Sequence, residues 1–279
     1  MEWEYEPDYF GEEELPGHEG PDPAVVVAES DLRKFFARRK MPYYLGQLEC
    51  IFEKKHYHWV TYNAVQRLIA DGFLALHERT TKDGNEVHFV ARPRDEQRIV
   101  DGHIASTLGL LERVWTPELS AIRGKHLAAL VKAELRAHGF TIVAENSRTY
   151  QGRTWDASEH DLDFIAELSN GRGIGVEVKN TVHYIPRDEM LIKLAMCDYL
   201  GVTALFAVRW MPKSYIYEDV LSHKGFCWLF EYQAYPLGYE ELCAQIVARL
   251  KFPAMVMTEI PPRARQIFAD HFVKPLQRG

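Results

Sequence analysis

Three charged side chains, Asp163, Glu177 and Lys179, lie in two short apolar segments that a turn separates. The segments belong to the stretch HDLDFIAELSNGRGIGVEVKNT, which has the pattern of a β-hairpin. Side chains alternate across a strand, so Glu177 and Lys179 share one face. Two carboxylates with an ammonium beside them suit a hard divalent cation and phosphodiester hydrolysis. The amine would orient or deprotonate water, or stabilise developing charge.

A Glu-x-Lys pattern also occurs on half-exposed strands, where it forms only a weak, solvated ion pair. The segment GIGVEVKN is more apolar than such a strand and resembles a buried one. Burial of a charged side chain is costly, so charges in such a strand indicate a specific role. This apolar setting favours the functional interpretation.

Whether the two acids meet depends on the register of the hairpin. Opposed residues of an antiparallel pair have a constant sum of residue numbers, and a sum of 340 places Asp163 across from Glu177. That register leaves residues 169–171 in the turn, whereas a two-residue turn separates the acids unless a bulge corrects the parity. Because the glycines within 171–175 favour an odd loop or a bulge, we predict the sum of 340.

The net charge of −7 is unevenly distributed along the chain. Residues 1–22 hold nine Asp and Glu and no Lys or Arg, which leaves 33 basic against 31 acidic side chains (40 minus 9). We predict that residues 1–29 form an acidic, disordered arm that aids solubility; an arm that mimics nucleic acid is the alternative. The remainder, at +2, is compatible with a nucleic-acid partner.

The chain shows no sign of membrane insertion or export. No apolar run reaches the roughly 20 residues that span a bilayer, and the acidic N-terminus lacks a secretory signal. We therefore predict a cytoplasmic protein with no membrane partner.

The four cysteines form no C-x-x-C pair, and His56 and His58 alone are weak support for zinc.

Helical patterns and a hairpin pattern follow the arm, with N-caps predicted at Ser30 and Thr61. This order, within residues 30–94, resembles a winged helix-turn-helix domain. The resemblance implies that a helix over Thr61–Asp71 enters the major groove, with the hairpin near Lys82 as the wing.

The predicted recognition helix carries polar side chains on the face opposite its apolar stripe. Asn63, Gln66 and Arg67 are the candidates on that face, and their side chains suit base edges and phosphates. Winged helices also dock proteins, so a protein partner for this domain, or for the acidic arm, is the alternative.

Residues 95–115 have the pattern of a helical connector, and residues 116–279 mix helices and strands as an α/β domain does. Within this domain the stretch SRTYQGRTWDASEHD is predicted to form a loop at the mouth of a cleft. Arg148 and Arg153 could contact phosphates from that loop, although a solvated loop accounts for them equally well.

The pattern of Asp163, a gap, and then Glu177-Val178-Lys179 resembles the PD-(D/E)XK nuclease superfamily of restriction endonucleases and Holliday-junction resolvases. The likeness covers roughly residues 120–235. It implies a restriction endonuclease-like mixed sheet flanked by helices. It also implies that Asp163, Glu177 and the Val178 carbonyl bind Mg²⁺ or Mn²⁺, and that Lys179 activates water.

The sequence departs from that superfamily at two positions. Leu162 stands where a proline precedes the aspartate, and Ala128 stands where many members place a glutamate on the preceding helix. Glu134, on the apolar stripe of that helix, could replace this glutamate as a metal ligand; a position at the exposed rim is the alternative.

Two further residues are secondary candidates. Asp161 shares the face of Asp163 and could support it, or it could mark the solvent end of the strand. Gln233, on a late strand, could position substrate or water, although a surface glutamine is the alternative.

The sequence as a whole predicts a Mg²⁺-dependent endonuclease that acts on DNA, with a homodimer suited to duplex cleavage. A non-catalytic DNA-binding or regulatory protein on an inactivated nuclease fold, and an RNA-directed nuclease, are the alternatives.

Overall fold

The computed structural model describes residues 22–278, which divide into two compact units. The first unit comprises residues 22–116 with 246–252, and the second comprises residues 117–245 with 253–278. Most of the predicted acidic arm lies outside the described residues. No helix within the described range is long and apolar enough to cross a membrane.

Helices and a small antiparallel sheet form the first unit. Its helices are α1 Pro23–Ala37, α2 Leu45–Phe52, α3 His58–Ala70 and α4 Gln97–Val114, with a π-helical segment at Ile246–Leu250. Its strands are β1 Tyr43–Tyr44, β2 Ala75–Thr80 and β3 Glu86–Ala91, in the order β1-β3-β2. The antiparallel pair β2–β3 is the predicted hairpin.

Helix α1 begins seven residues before the predicted N-cap at Ser30, so the end of the predicted arm is helical. The Asp22 side chain accepts a hydrogen bond of 2.7 Å from the Ala24 N–H, and Pro23 occupies the first turn, where its missing N–H costs nothing. Val25 and Ala28 are buried and extend the apolar stripe backwards. In the same way α3 begins at His58 rather than after Thr61.

The second unit is a mixed α/β structure. Its helices are α5 Pro117–Ala137, α6 Arg187–Leu200, α7 Glu240–Gln245, α8 Pro262–Phe268 and α9 Lys274–Arg278, with π-helical segments at Tyr215–Val220 and Ala269–Val273. Its strands are β4 Phe140–Ser147, β5 Thr149–Tyr150, β6 Arg153–Thr154, β7 Leu162–Leu168, β8 Gly173–Lys179, β9 Thr203–Val208, β10 Phe226–Leu229, β11 Gln233–Tyr235 and β12 Ala254–Val256.

The main sheet of this unit has helices on both faces. Its order is β10-β9-β8-β7-β4; β7 is antiparallel to both of its neighbours, whereas β8, β9 and β10 are parallel. Phe164 and Val176 pack on one face with Leu127 of α5. Ile165 packs on the other face with Leu194 of α6. The fold is therefore a mixed sheet flanked by helices.

The predicted register of the central hairpin is confirmed. Phe164 pairs with Val176 and Glu167 with Gly173, which is a sum of 340 along the whole ladder. The Leu168 N–H donates to the Arg172 carbonyl at 3.0 Å and closes a turn over residues 169–171. In this turn Gly171 has a φ of 81°, a left-handed conformation that glycine adopts readily.

Glycine at position 175 allows side chains to lie close against β8. A Cβ at Gly175 would lie 2.7 Å from Cys197 Sγ of α6 and 2.7 Å from Leu162 Cδ1. Contacts that short would force the neighbouring atoms apart, so this glycine sets how closely α6 covers the strand.

We expect Gly175→Ala to lower the free energy of unfolding by about 1–3 kcal/mol, because the added methyl overpacks the interface with α6. Gly124→Ala is the control, since a Cβ at that position of α5 meets open space and alanine favours a helix by up to about 1 kcal/mol. Urea denaturation measures both variants. Equal stability of the two would contradict the packing argument.

Candidate active site

The two predicted acids lie where the pairing of β7 with β8 ends. Phe164 and Val176 are the last paired residues, and the same register would next oppose Asp163 and Glu177. Instead of a ladder bond, Asp163 Oδ2 accepts a hydrogen bond of 2.6 Å from the Val178 N–H. The aspartate carboxylate therefore binds the backbone of β8 one residue beyond Glu177.

Glu177 is a buried carboxylate, 4% exposed, with an ammonium near each oxygen. Lys179 Nζ lies 3.4 Å from Oε1, and Lys193 Nζ of α6 lies 2.7 Å from Oε2. Because the Lys193 ammonium lies at ion-pair distance from Oε2, this oxygen already has a charged partner. A carboxylate oxygen has two lone pairs, so it can still accept a further ligand.

Helix α6 supplies the groups that surround the strand residues. Glu189 Oε1 lies 2.8 Å from Lys179 Nζ, and Lys193, one turn later, also donates to the Asp161 carbonyl. Asp163, Glu177, Lys179, Glu189 and Lys193 are called the charged cluster below. The cluster holds three carboxylates and two ammoniums, so carboxylates are in excess by one.

Burial shifts the protonation of the acids in the cluster. Burial and the negative charge of Asp163 together raise the pKa of Glu177 to about 7, against the opposing effect of Lys193 and Lys179. Burial also raises the pKa of Asp163, which the Val178 N–H and the same two lysines oppose. The charge of Asp163 thus acts on Glu177, and the same two lysines act on both carboxylates, so both lie in one electrostatic environment.

The pKa of Lys179 is raised, which keeps its side chain charged. Burial lowers its pKa, but Glu177 and Glu189 outweigh burial, and the net shift is upward. The amine is therefore an ammonium at neutral pH. Of the roles predicted for it, orientation of water and stabilisation of negative charge fit this state, whereas proton abstraction does not.

The oxygens at the end of β8 fit a hard divalent cation. Asp163 and Glu177 bring two carboxylates close enough together for the charge of Asp163 to raise the pKa of Glu177. A strand residue directs its N–H and C=O to the same neighbouring strand, so the Val178 carbonyl points to the side of Asp163. Two carboxylates and one carbonyl form a ligand set that Mg²⁺ accepts.

Glu134 is not brought to the charged cluster. It is buried on α5, on the opposite face of the sheet from α6, and its carboxylate lies 2.9 Å from Arg265 Nε of α8 and 3.4 Å from His138 Nδ1. The ion pair with Arg265 explains an acid on an apolar stripe without a metal.

The structure separates the alternatives predicted for Asp161 and Gln233. The Asp161 side chain is exposed next to the start of β7, which agrees with the solvent end of the strand, while its carbonyl accepts a hydrogen bond from Lys193. Gln233 is 1% exposed, so the surface alternative is wrong; its Nε2 donates to the Asn180 carbonyl at 3.2 Å. The Asn180 side chain in turn donates to the Ala234 carbonyl at 2.7 Å, so a buried amide network holds the end of β8.

The two predicted arginines of the cleft loop are exposed. Arg148 Nη1 lies 3.5 Å from Glu159, and Arg153 Nη1 donates to the Tyr199 carbonyl at 3.1 Å. Part of the predicted loop is a short hairpin, β5 with β6. No contact joins either arginine to the charged cluster in the described structure.

The predicted DNA-binding residues of the first unit are partly engaged within it. Arg67 Nε lies 3.0 Å from Glu29 of α1, and Lys82 Nζ lies 3.3 Å from Glu112 of α4. Asn63 and Gln66 are half-buried on α3. The face of α3 therefore presents less free charge than its sequence suggests.

The sequence analysis missed Lys193 and Glu189. A signal for Lys193 was present, because Met190, Leu194 and Cys197 form a buried stripe at helical spacing and Lys193 lies within it. A lysine on a buried stripe requires an acidic partner, and Glu177 is that partner.

Comparisons with known proteins identify no relative. No protein-family model matches the sequence, no curated protein matches it, and no solved structure matches the chain.

We expect Glu177 to make the stability of the protein depend on pH. Its pKa is about 7 in the folded state against 4.5 without the fold, so the folded state holds the proton more tightly. Its contribution to the free energy of unfolding is therefore present at low pH and is lost as pH rises through about 7. Glu177→Gln should remove this part of the slope in urea denaturation across that range.

The control is Glu145→Gln, which alters an exposed carboxylate of β4 and leaves Glu177 in place. It should keep the wild-type slope. A Glu177→Gln profile parallel to wild type would refute the raised pKa.

Proposed function

We propose that the protein is a metal-dependent endonuclease that hydrolyses DNA phosphodiester bonds at the charged cluster. The observation that carries the proposal is the hairpin register, which brings Asp163 and Glu177 to adjoining strand ends with Lys179 beside Glu177. The proposal includes a restriction endonuclease-like fold for the second unit. The order of its sheet and the helices on both faces support this finer assignment.

In this proposal Asp163, Glu177 and the Val178 carbonyl hold Mg²⁺ or Mn²⁺. The bound ion would polarise the phosphodiester and lower the pKa of water. Asp163 and Glu177 must both be ionised to bind it, and a pKa of about 7 for Glu177 makes that possible at neutral pH.

The two lysines have different roles. Lys179, an ammonium at neutral pH, orients the attacking water and stabilises the charge that develops on the phosphoryl oxygens. Lys193 is a positioning residue: it holds Glu177 through its ion pair and is itself anchored by the Asp161 carbonyl. Glu189 fixes Lys179 from the other side.

The first unit is proposed as a winged-helix domain that contacts DNA or a protein partner. The order of its elements supports this assignment, because the helices α1, α2 and α3 precede the β2–β3 hairpin. Since Arg67 is paired with Glu29, Asn63 and Gln66 are the side chains best available for base edges. Two copies of the chain would suit cleavage of both strands of a duplex.

We expect cleavage of supercoiled plasmid DNA in the presence of Mg²⁺ or Mn²⁺, and no cleavage with EDTA. Asp163→Asn should abolish it, because the metal loses a charged ligand. Lys179→Met should lower the rate by about 100-fold, since one group that stabilises the transition state is removed. Gel electrophoresis of nicked and linear products measures the rates.

Glu145→Gln is the matched control for these variants and should cleave at the wild-type rate. Cleavage that survives both Asp163→Asn and Lys179→Met would place the activity outside this site. Matched RNA and DNA substrates distinguish the RNA-directed alternative.

The rate of cleavage should rise with pH between about 6 and 8, because Glu177 must lose its proton before it binds the metal. Lys193→Met should move the midpoint of this profile upward, since the Lys193 charge lowers the pKa of Glu177. Initial rates over a pH series with constant ionic strength measure the shift. An unchanged midpoint would show that Lys193 has no electrostatic role.

A second candidate is a non-catalytic DNA-binding or regulatory protein built on the same fold. The contact that favours it is the Lys193 ammonium 2.7 Å from Glu177, which neutralises a carboxylate that the metal would need. Calorimetric titration with Mn²⁺ separates the two candidates. Binding that Asp163→Asn abolishes supports the nuclease, and absence of binding supports the regulator.

A further inference from the structure

A cavity of about 630 Å³ lies within the first unit, among α4, the segment that leads into β1, and residues 246–252. Its lining combines basic side chains with polar and apolar ones, and no Asp or Glu of the described part of the chain belongs to it. Neither the proposed active site nor the face of α3 shares a lining residue with it. This space is called the basic cavity below.

Within residues 22–278, no acidic side chain neutralises the positive charges of the basic cavity. Arg98, His103, Arg249 and Lys251 line it and are exposed. None of the four forms an ion pair with a residue between 22 and 278, although other basic residues of the unit, such as Arg67 and Lys82, do. Cations that converge on a concave site without acids favour an anionic ligand.

The walls of the basic cavity are anchored to the core of the unit. Gln47 is buried, and its Nε2 donates to the Arg249 carbonyl at 2.7 Å while its Oε1 accepts from the Tyr44 N–H at 2.7 Å. Phe252 is buried and packs against Tyr44, with ring centroids 6.4 Å apart. The arginine is thus held by a fixed backbone.

Lys251 has a backbone conformation that its side chain disfavours. Its φ is 61°, in the left-handed region where a non-glycine residue is uncommon. Such strain persists only where the surrounding structure imposes it, and it is concentrated at functional sites.

The rest of the lining includes the polar residues Gln47, Ser106 and Thr107, together with apolar and aromatic side chains. Met41, Pro42 and Tyr43 form one wall, and Ile99 of α4, 47% exposed, forms another. A ligand with a phosphate group and a planar ring would satisfy both kinds of surface, because arginine forks bind phosphate and apolar walls bind the ring. The volume lies within the range of sites for small molecules, about 300–1,000 Å³.

We propose that the basic cavity binds a nucleotide, with Arg98, Arg249 and Lys251 on its phosphates. The apolar walls at Pro42 and Ile99 hold the base. A cavity that encloses a single nucleotide fits a free ligand better than a duplex backbone, which needs a row of separate phosphate contacts. This site is independent of the proposed nuclease activity.

Calorimetric titration of the full-length protein with ADP tests the proposal, with adenosine and pyrophosphate as partial ligands. We expect ADP to bind more tightly than either. The double variant Arg98→Glu, Arg249→Glu should weaken ADP binding by at least about tenfold. Rising salt concentration should weaken it as well, because the contacts are ionic.

The matched control is Lys54→Glu, Arg94→Glu, which makes the same change of charge at exposed residues of the same unit outside the cavity. It should bind ADP like the wild type, and thermal unfolding monitors the fold of both double variants. Asp163→Asn should also bind ADP normally, so that failure of the nuclease proposal leaves this test intact.

Three outcomes would overturn the proposal. The first is no detectable binding of ADP at millimolar concentration, and the second is an equal loss of ADP affinity in both double variants. The third is that a short DNA duplex, and not ADP, loses affinity in the cavity variant alone; the cavity would then belong to a nucleic-acid surface.

Discussion

The arrangement of the candidate site depends on a single constraint, the register of the β7–β8 hairpin. A turn over residues 169–171 keeps the sum of paired residues at 340 from Glu167–Gly173 to Phe164–Val176. A slip by one residue would exchange the two faces of β8, so that Glu177 would point to the apolar face that α5 covers. The left-handed conformation of Gly171 makes the three-residue turn possible. It therefore determines which groups meet at Glu177, six residues further along the chain in β8, or about 20 Å at about 3.3 Å per residue.

Charge balance is the second requirement of this site. Buried carboxylates and ammoniums are costly unless they are paired, and the cluster pairs them across the boundary between the sheet and α6. Burial and the charge of Asp163 raise the pKa of Glu177 to about 7, whereas Glu177 and Glu189 outweigh burial at Lys179 and raise its pKa. One arrangement thus explains both an acid that can be neutral and an amine that stays charged.

Local patterns predicted the hairpin, its turn and the α/β character of the second unit, because alternation and turn chemistry are properties of short segments. They did not predict the partners of buried charges. A metal role and an exposed rim position were the alternatives for Glu134, because its partner Arg265, 131 residues away, is outside any local pattern. Lys193 was missed, although its place on a buried stripe carried the same signal as Glu134. For Gln233 the sequence left a surface position open, because its partner Asn180 is distant in sequence.

Residues 246–252 return to the first unit after the chain has passed through most of the second. The hydrogen bond from Gln47 to Arg249 spans 202 residues, so the first unit is discontinuous in sequence. During synthesis this unit cannot be completed until its last segment leaves the ribosome, whereas the main sheet of the second unit has already emerged. Contacts between residues so far apart in sequence form slowly. Residues 246–252 therefore determine the order in which the two units assemble as well as the final contacts of the first unit.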